Sequence, residues 1–300
     1  MKSQKIFLTG ATGLVGSQLT ETLSQHSFSV KALSRNKQVQ VKGVEWIVSD
    51  ILSSDLMLCK HLEGAHVIIH NAACLKAGNT TAELEEIQKV NVDFTERLLN
   101  CAVQVNIKKI IFTSGFNLVK KPLPDLISET AALNPTTPYA KSKYIGEQLM
   151  QEYAAKYALN MNILRLSSPV NLNVHLLPET VVKRWILQSV NNQTIQIHGN
   201  GNRTQDFVAV SDIANAFLSC IEYENVNGIF NIASGNTISM IQLAELITKK
   251  YGNNYIFTGI DENENDRWNI SIEKANKLLQ YKPEFSSLSI ISELLKKSAS

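Results

Sequence analysis

Along the chain, short apolar runs rich in β-branched residues alternate with stretches of helical period. The runs are KIFLTG, FSVKALSR, VEWIV, AHVIIHNAA, KKIIFTSG and MNILRLSSP. Their apolar character is continuous rather than alternating, which predicts strands buried on both faces. Between them, Val15, Leu19 and Leu23 are spaced four apart, as are Ile145, Leu149 and Tyr153. Each set predicts one face of a helix. Repeated strand–helix–strand units predict a parallel sheet with right-handed crossovers, an α/β fold of the Rossmann-type doubly wound kind.

The texture changes after about Pro169. A helix is predicted around 180–190, and TIQIHGNGNRTQDFVAV reads as strand, Gly/Asn turn, strand. Ser239 and Gln242 have capping-box spacing ahead of LAELITKK, and Gly252 suits the C-terminal cap. The last third reads as a smaller mixed α/β lobe. The expected division is a Rossmann-type domain over 1–167, to which the chain returns at about 205–233, and a smaller lobe comprising 168–204 and 234–300.

Composition changes this picture little. The 300 residues are 44% hydrophobic and 19% charged, ordinary for a globular protein. A formal net charge of +2 without a dense Lys/Arg block gives no reason to expect a nucleic-acid partner. Cys59, Cys74, Cys101 and Cys220 stand far apart without metal or redox spacing, and fit free thiols in a reducing compartment. No signal peptide is expected in MKSQKIFLTG, and no apolar run reaches transmembrane length, so no membrane partner is expected. A cytoplasmic location is the expectation.

The first chemical signal follows the first strand: TGATGLVGSQLTETL places Gly10, Gly13 and Gly16 in a G-x-x-G-x-x-G turn that opens a helix at about Leu14. Gly10 permits the tight turn, Gly13 lets backbone approach a pyrophosphate, and Gly16 lets the helix lie close to the sheet. The helix N-terminus offers free N–H groups to phosphates, so Thr12, Leu14 and Val15 are expected to line a dinucleotide. The second strand ends in Ser34 and Arg35 with no nearby acid. A guanidinium there can pair with a ribose 2′-phosphate, which favours NADP over NAD; a solvated surface arginine is the alternative. Asp50, followed by Ile51 after the third strand, is placed to accept from the adenine amino group, or simply to form a turn.

The second signal is PYAKSKYIGEQL. Thr137 suits a helix N-cap and Pro138 the first helical position, which puts Tyr139 and Lys143 four apart on one face. A phenol titrates near ~10. A lysine charge ~4 Å away at an effective dielectric of ~20 is worth about 4 kcal/mol, enough to lower the phenol's pKa by roughly three. Such a phenol can exchange protons with a substrate near neutral pH.

TGATGLVG, HNAA at 70–73, Asn91 in KVNVDFTERLL, PYAKSK and GNGNRTQDFVAVSDIA together resemble the extended short-chain dehydrogenase/reductases. Within them the likeness is to the NAD(P)-dependent epimerase/dehydratase group, which acts mostly on nucleotide sugars. The resemblance spans nearly the whole chain. It implies Tyr139 as acid/base, with Lys143 lowering its pKa and holding the nicotinamide ribose. It also implies that Asn71, Ala72 and Ala73 line the cofactor and that Pro169 sits beside the nicotinamide. A homodimer through the helices holding 91–103 and 139–157 is implied as well.

Several positions depart from that pattern. Where relatives carry a Ser or Thr for the reacting oxygen, this chain has Gly115. Ser114 is expected to serve instead if the strand bends at Gly115, with Thr113, Asn117 or a water as alternatives. Ser168 stands where many relatives keep Asn. Gln205 stands where relatives hold the sugar diphosphate with Arg, and Arg203 and Arg267 are the nearest candidates. The 112–119 stretch lacks an Asp-Glu pair, which favours epimerisation over dehydration. An NADPH-dependent carbonyl reductase and a cofactor-binding protein with little catalysis are the competing readings.

Overall fold

The computed structural model describes residues 4–51 and 54–298. The chain runs β1 (Lys5–Thr9), α1 (Leu14–Gln25), β2 (Ser29–Ser34), β3 (Val44–Val48), α2 (Asp55–Leu62), β4 (Val67–His70) and α3 (Thr81–Ile87). A π-helical turn at Gln88–Asp93 leads into α4 (Phe94–Gln104), followed by β5 (Lys109–Gly115), α5 (Pro138–Tyr157) and β6 (Asn160–Leu166). The remainder is β7 (Ser168–Val170), α6 (Val181–Val190), β8 (Ile195–His198), β9 (Thr204–Ala209), α7 (Val210–Glu222) and β10 (Gly228–Ile232). It closes with β11 (Thr237–Ser239), α8 (Met240–Tyr251), β12 (Tyr255–Thr258), α9 (Glu273–Leu279) and α10 (Ser287–Lys297).

Seven of these strands form one parallel sheet in the order β10-β6-β5-β4-β1-β2-β3. Every apolar run named above is a strand of it. One face buries Val15, Leu19 and Leu23 of α1 with α7, and the other packs α2, α4 and α5. The strand order reverses between β1 and β4, and such a switch point opens a crevice at the carboxyl ends of the strands. A second core, built from α6, α8, α10 and the short sheets β11-β9-β7 and β12-β8, lies beside that end. Among the described residues, no helix is long and apolar enough to cross a membrane.

Three expectations need correction. The segment around 195–209 does hold two strands, yet they do not pair: β8 joins β12 in parallel, while β9 lies between β7 and β11. Each strand has a partner elsewhere, so the turn separates two sheets instead of closing a hairpin. On α5, Ile145 points outward, and the buried face runs through Lys143, Gly146, Glu147, Met150 and Tyr153. The inward stripe carries polar residues and a glycine, so apolar spacing alone misplaces it. Cys59 on α2 and Cys101 on α4 are joined in a disulfide with Cα atoms 4.9 Å apart, which linear spacing did not reveal; Cys74 and Cys220 are free and buried.

Between β1 and α1 the chain passes through contacts that admit only hydrogen. Gly10 has φ +68°, and a Cβ on it would meet Ala72 N at 2.6 Å. A Cβ on Gly16 would lie 1.9 Å from Gly10 O, whereas one on Gly13 would meet nothing closer than 3.5 Å. Gly16→Ala is therefore expected to destabilise the fold by about 3 kcal/mol or more, because the clash is with backbone. Gly13→Ala is expected to cost under ~1 kcal/mol. Urea unfolding midpoints of the two variants check this, and equal shifts would contradict it.

Candidate active site

The crevice at the switch point is a cleft of about 1360 Å³. Its floor is the glycine turn: Thr12, Gly13, Leu14 and Val15 line it, and Gly16 sits behind, where it lets the helix approach. No side chain caps α1, so the N–H groups of its first turn are left for an anion in the cleft. Arg35, Asp50 and Ile51 line one end, and Asn71, Ala72 and Ala73 line the wall after β4. Backbone that a Cβ would obstruct, together with an uncapped helix start, fits a dinucleotide pyrophosphate.

A buried relay holds that wall in place. Ala72 N–H donates to Thr9 Oγ1 at 3.2 Å, and Thr9 Oγ1 lies 2.8 Å from His70 Nδ1. His70 Nε2 lies 2.8 Å from Thr95 Oγ1, which itself donates to Asn91 O. Because the Thr95 proton is committed, the His70 proton sits on Nε2 and the ring is neutral. Burial, and the Lys143 charge after it, push His70 down to about 3. Asn91 carries the connection onward. Its Oδ1 accepts from Cys74 N, and its Nδ2 donates to Cys74 O and to Ser142 Oγ on α5.

Helix α5 starts as its sequence predicts, with Thr137 Oγ1 accepting from Ala140 N and Pro138 in the first turn. Tyr139 and Lys143 both line the cleft. The helix lies so close to β5 that a Cβ on Gly146 would be 2.6 Å from the Phe112 ring. Lys143 Nζ sits 4.3 Å from the centroid of that ring. Here the electrostatics differ from the expectation. Burial, with the Cys74 thiol second, pushes Tyr139 up to about 12. Burial pushes Lys143 down to about 7, with Glu147 opposing. Desolvation disfavours the charged form of each group, and the lysine rests against an aromatic face instead of lowering the phenol.

The hydroxyl strand also differs. β5 stays extended through Gly115 (φ −156°, ψ 175°), which remains opposite Leu166 of β6, so no bend occurs. None is needed: strand alternation puts Ser114 on the same face as Phe112, the face that α5 covers. Ser114 lines the cleft, is 4% exposed, and its Oγ has no partner among the described residues. Thr113 Oγ1 is engaged, donating to Asn71 Oδ1 at 3.0 Å, and Asn117 lines the cleft nearby.

At the far end, Ser168 and Pro169 line the cleft with Gln205, whose Nε2 donates to Ser168 Oγ at 2.7 Å. Neither proposed arginine reaches it. Arg203 Nε forms an ion pair with Asp261 at 2.9 Å, its N–H not aimed for a hydrogen bond. Arg267 Nη1 donates to the carbonyls of Glu264 and Asp266 in its own segment. The cation lining this end is instead Lys121, with Trp268 and Ile270 close by. A lysine in a loop, without periodicity or motif, carries no signal that reading the chain could have used.

A dinucleotide cleft with a tyrosine–lysine pair on the following helix defines an oxidoreductase-type Rossmann enzyme. The sequence profile of the NAD dependent epimerase/dehydratase family matches residues 6–233, and the chain belongs to that family. It is 30% identical to "Putative UDP-glucose 4-epimerase" of Methanocaldococcus jannaschii, over 93% of each chain. It is 27% identical to dTDP-D-glucose 4,6-dehydratase of Mus musculus, over 81% of this chain and 72% of the other. In fold it is similar to UDP-glucuronic acid 4-epimerase from Bacillus cereus, solved with UDP-glucuronic acid and NAD. That likeness has a TM-score of 0.85 at 23% identity and covers 99% of each chain.

The depressed Lys143 makes stability depend on pH. An unfolded lysine keeps its proton to about 10.5, while the folded one releases it near 7. Between those values the unfolded state binds the extra proton, so this group's contribution to stability increases as pH rises from about 7 to 10.5. Lys143→Met should flatten that rise in denaturant unfolding measured across the range. An unchanged slope would show that Lys143 stays charged when folded.

Proposed function

We propose that the protein is a nucleotide-sugar epimerase that reversibly oxidises a sugar carbinol. The observation that carries this reading is convergence: the glycine turn, Tyr139, Lys143 and the free Ser114 hydroxyl face one cleft. A bound nicotinamide would supply hydride acceptance and return. Tyr139 Oη takes the carbinol proton and later gives it back, while Ser114 Oγ donates to the oxygen that changes between alcohol and ketone. Lys143 holds the nicotinamide ribose, and the positive charge of an oxidised nicotinamide bound beside the phenol would lower it from about 12 toward the working range. Pro169, Asn71, Ala72 and Ala73 line the same cleft and would hold the nicotinamide end of the dinucleotide. In this reading, 1–167 with 205–233 carries the cofactor, and 168–204 with 234–300 carries the sugar nucleotide.

Epimerisation is favoured over dehydration because, among the described residues, the carboxylates lining the cleft are Asp50 and Glu86, both at the Arg35 end. Neither can serve as the extra acid or base that sugar dehydration requires beside the hydroxyl strand. Names of relatives point to NAD, yet Arg35 favours NADP. Glu86 lies near Arg35, but Lys76 pairs with it at 2.6 Å and leaves the guanidinium charge available to a 2′-phosphate. A homodimer through α4 and α5 is part of the proposal, supported by Ile145, which turns away from its own chain. An NADPH-dependent carbonyl reductase is the second reading, and Arg35 is what favours it.

Tyr139→Phe is expected to lower kcat for UDP-sugar epimerisation by ~10²–10⁴ while leaving nucleotide-sugar binding intact. Ser114→Ala should lower it by ~10²–10³. Unchanged turnover in Tyr139→Phe would leave a cofactor-binding protein without this chemistry. Stoichiometric consumption of NADPH with simple carbonyls would favour the reductase. For the cofactor, Arg35→Ala should reduce NADP affinity ~10-fold or more and leave NAD affinity within a few-fold. Equal losses for both dinucleotides would remove the NADP preference.

A further inference from the structure

The substrate end of the cleft raises a question of charge. A nucleotide sugar brings an anionic diphosphate, and a buried anion needs a cation or several donors. Among the described residues, the cations lining the cleft are Arg35 and Lys76 at one end, Lys143 in the centre and Lys121 at the other end. Arg203 and Arg267 are committed to Asp261 and to carbonyls of the 264–266 segment.

Lys121 is held in position. Its Nζ donates to Asp266 Oδ2 at 2.6 Å and to Asn263 Oδ1. Asp266 is itself anchored: its N–H donates to Asn263 O, and its carbonyl accepts from Thr204 N beside Gln205. Trp268 N donates to Thr204 Oγ1, and the Trp268 ring meets Phe116 edge-on at 6.5 Å. Lys121 thus spans from the loop after β5 to the 261–268 segment, which is fastened to β9. An ammonium has three N–H donors, and two are used here, so one remains for a ligand oxygen. The side chain is 49% exposed, while Asp266 is 12% exposed. The charge is therefore accessible and its counter-ion sheltered.

We propose that Lys121 is the substrate-anion contact of this protein, donating to an oxyanion of the bound nucleotide sugar in place of an arginine. This rests on the nucleotide-sugar reading above. The oxyanion is either the diphosphate or a carboxylate on the sugar, and both present the same acceptor to the ammonium.

Calorimetric titration of the purified protein with UDP, UDP-glucose and UDP-glucuronic acid tests it, with Lys121→Met, Lys121→Arg and Arg203→Met run in parallel. Lys121→Met is expected to weaken binding ~10-fold or more, the size of a charge-assisted hydrogen bond. Lys121→Arg should recover most of that loss. A loss common to all three ligands identifies the diphosphate, and a loss confined to UDP-glucuronic acid identifies the carboxylate. Unchanged affinities in Lys121→Met, or a larger loss in Arg203→Met, would overturn the assignment while leaving the substrate class in place. If the wild-type protein binds none of the three, the substrate class fails and this assignment fails with it.

Discussion

The site depends on how closely α5 is seated on the sheet. Gly146 lets the helix rest on Phe112, and just beyond it Glu147 and Arg165 form a pair with contacts of 2.9 and 2.7 Å. Both side chains are almost wholly buried. Arg165 also donates to Glu129 O, and Glu129 Oε1 accepts from Asn231 N on β10. Removing one member of such a pair typically costs about 3–5 kcal/mol, since the other charge is left unanswered in a low dielectric. One turn before Glu147, the same face carries Lys143, and one turn before that, Tyr139. A helix fastened here presents Tyr139 and Lys143 to the cleft with little freedom to rotate.

The other side of the cleft is tied to the same helix. The relay from Ala72 through Thr9, His70 and Thr95 ends at Asn91. Asn91 in turn bonds the backbone of Cys74 and Ser142 of α5. Its place in the π-helical turn at Gln88–Asp93 is consistent with the tendency of such turns to occur at functional positions. The wall after β4 and helix α5 are thereby linked by neutral hydrogen bonds, and burial keeps His70 neutral well below physiological pH. The two halves of the proposed chemistry are positioned against each other without a charge at the junction.

Much of this was legible along the chain, for definite reasons. The strands are continuous apolar runs, and the starts of α1, α5 and α8 carry local chemistry of their own: a glycine turn, a Thr-Pro cap and a capping box. Features that depend on distant partners were not legible. Ile145 fits an apolar spacing but faces outward, because the inward face of α5 is carried by Lys143, Gly146, Glu147, Met150 and Tyr153. Ser114 stands one residue before the position where relatives carry the hydroxyl, and on sequence alone a bend at Gly115 is expected to bring it in; β6 pairing keeps the strand extended, and Ser114 lines the cleft without one. Arg203, Arg267 and Lys121 are indistinguishable as loop cations until the fold shows which of them lines the cleft. The mutual desolvation of Tyr139 and Lys143 follows from packing, which a helical spacing of four does not report.

The central claim is that a carbinol is oxidised and re-reduced within one cleft, with Tyr139 carrying the proton. The most direct measurement follows the label from UDP-glucose carrying deuterium at the sugar carbinol carbon C4, incubated with the purified protein and its dinucleotide. The account predicts an epimerised product that keeps its deuterium at that carbon, with no net consumption of cofactor. Product that has exchanged its deuterium with solvent, or one-way turnover that consumes the dinucleotide, would contradict it.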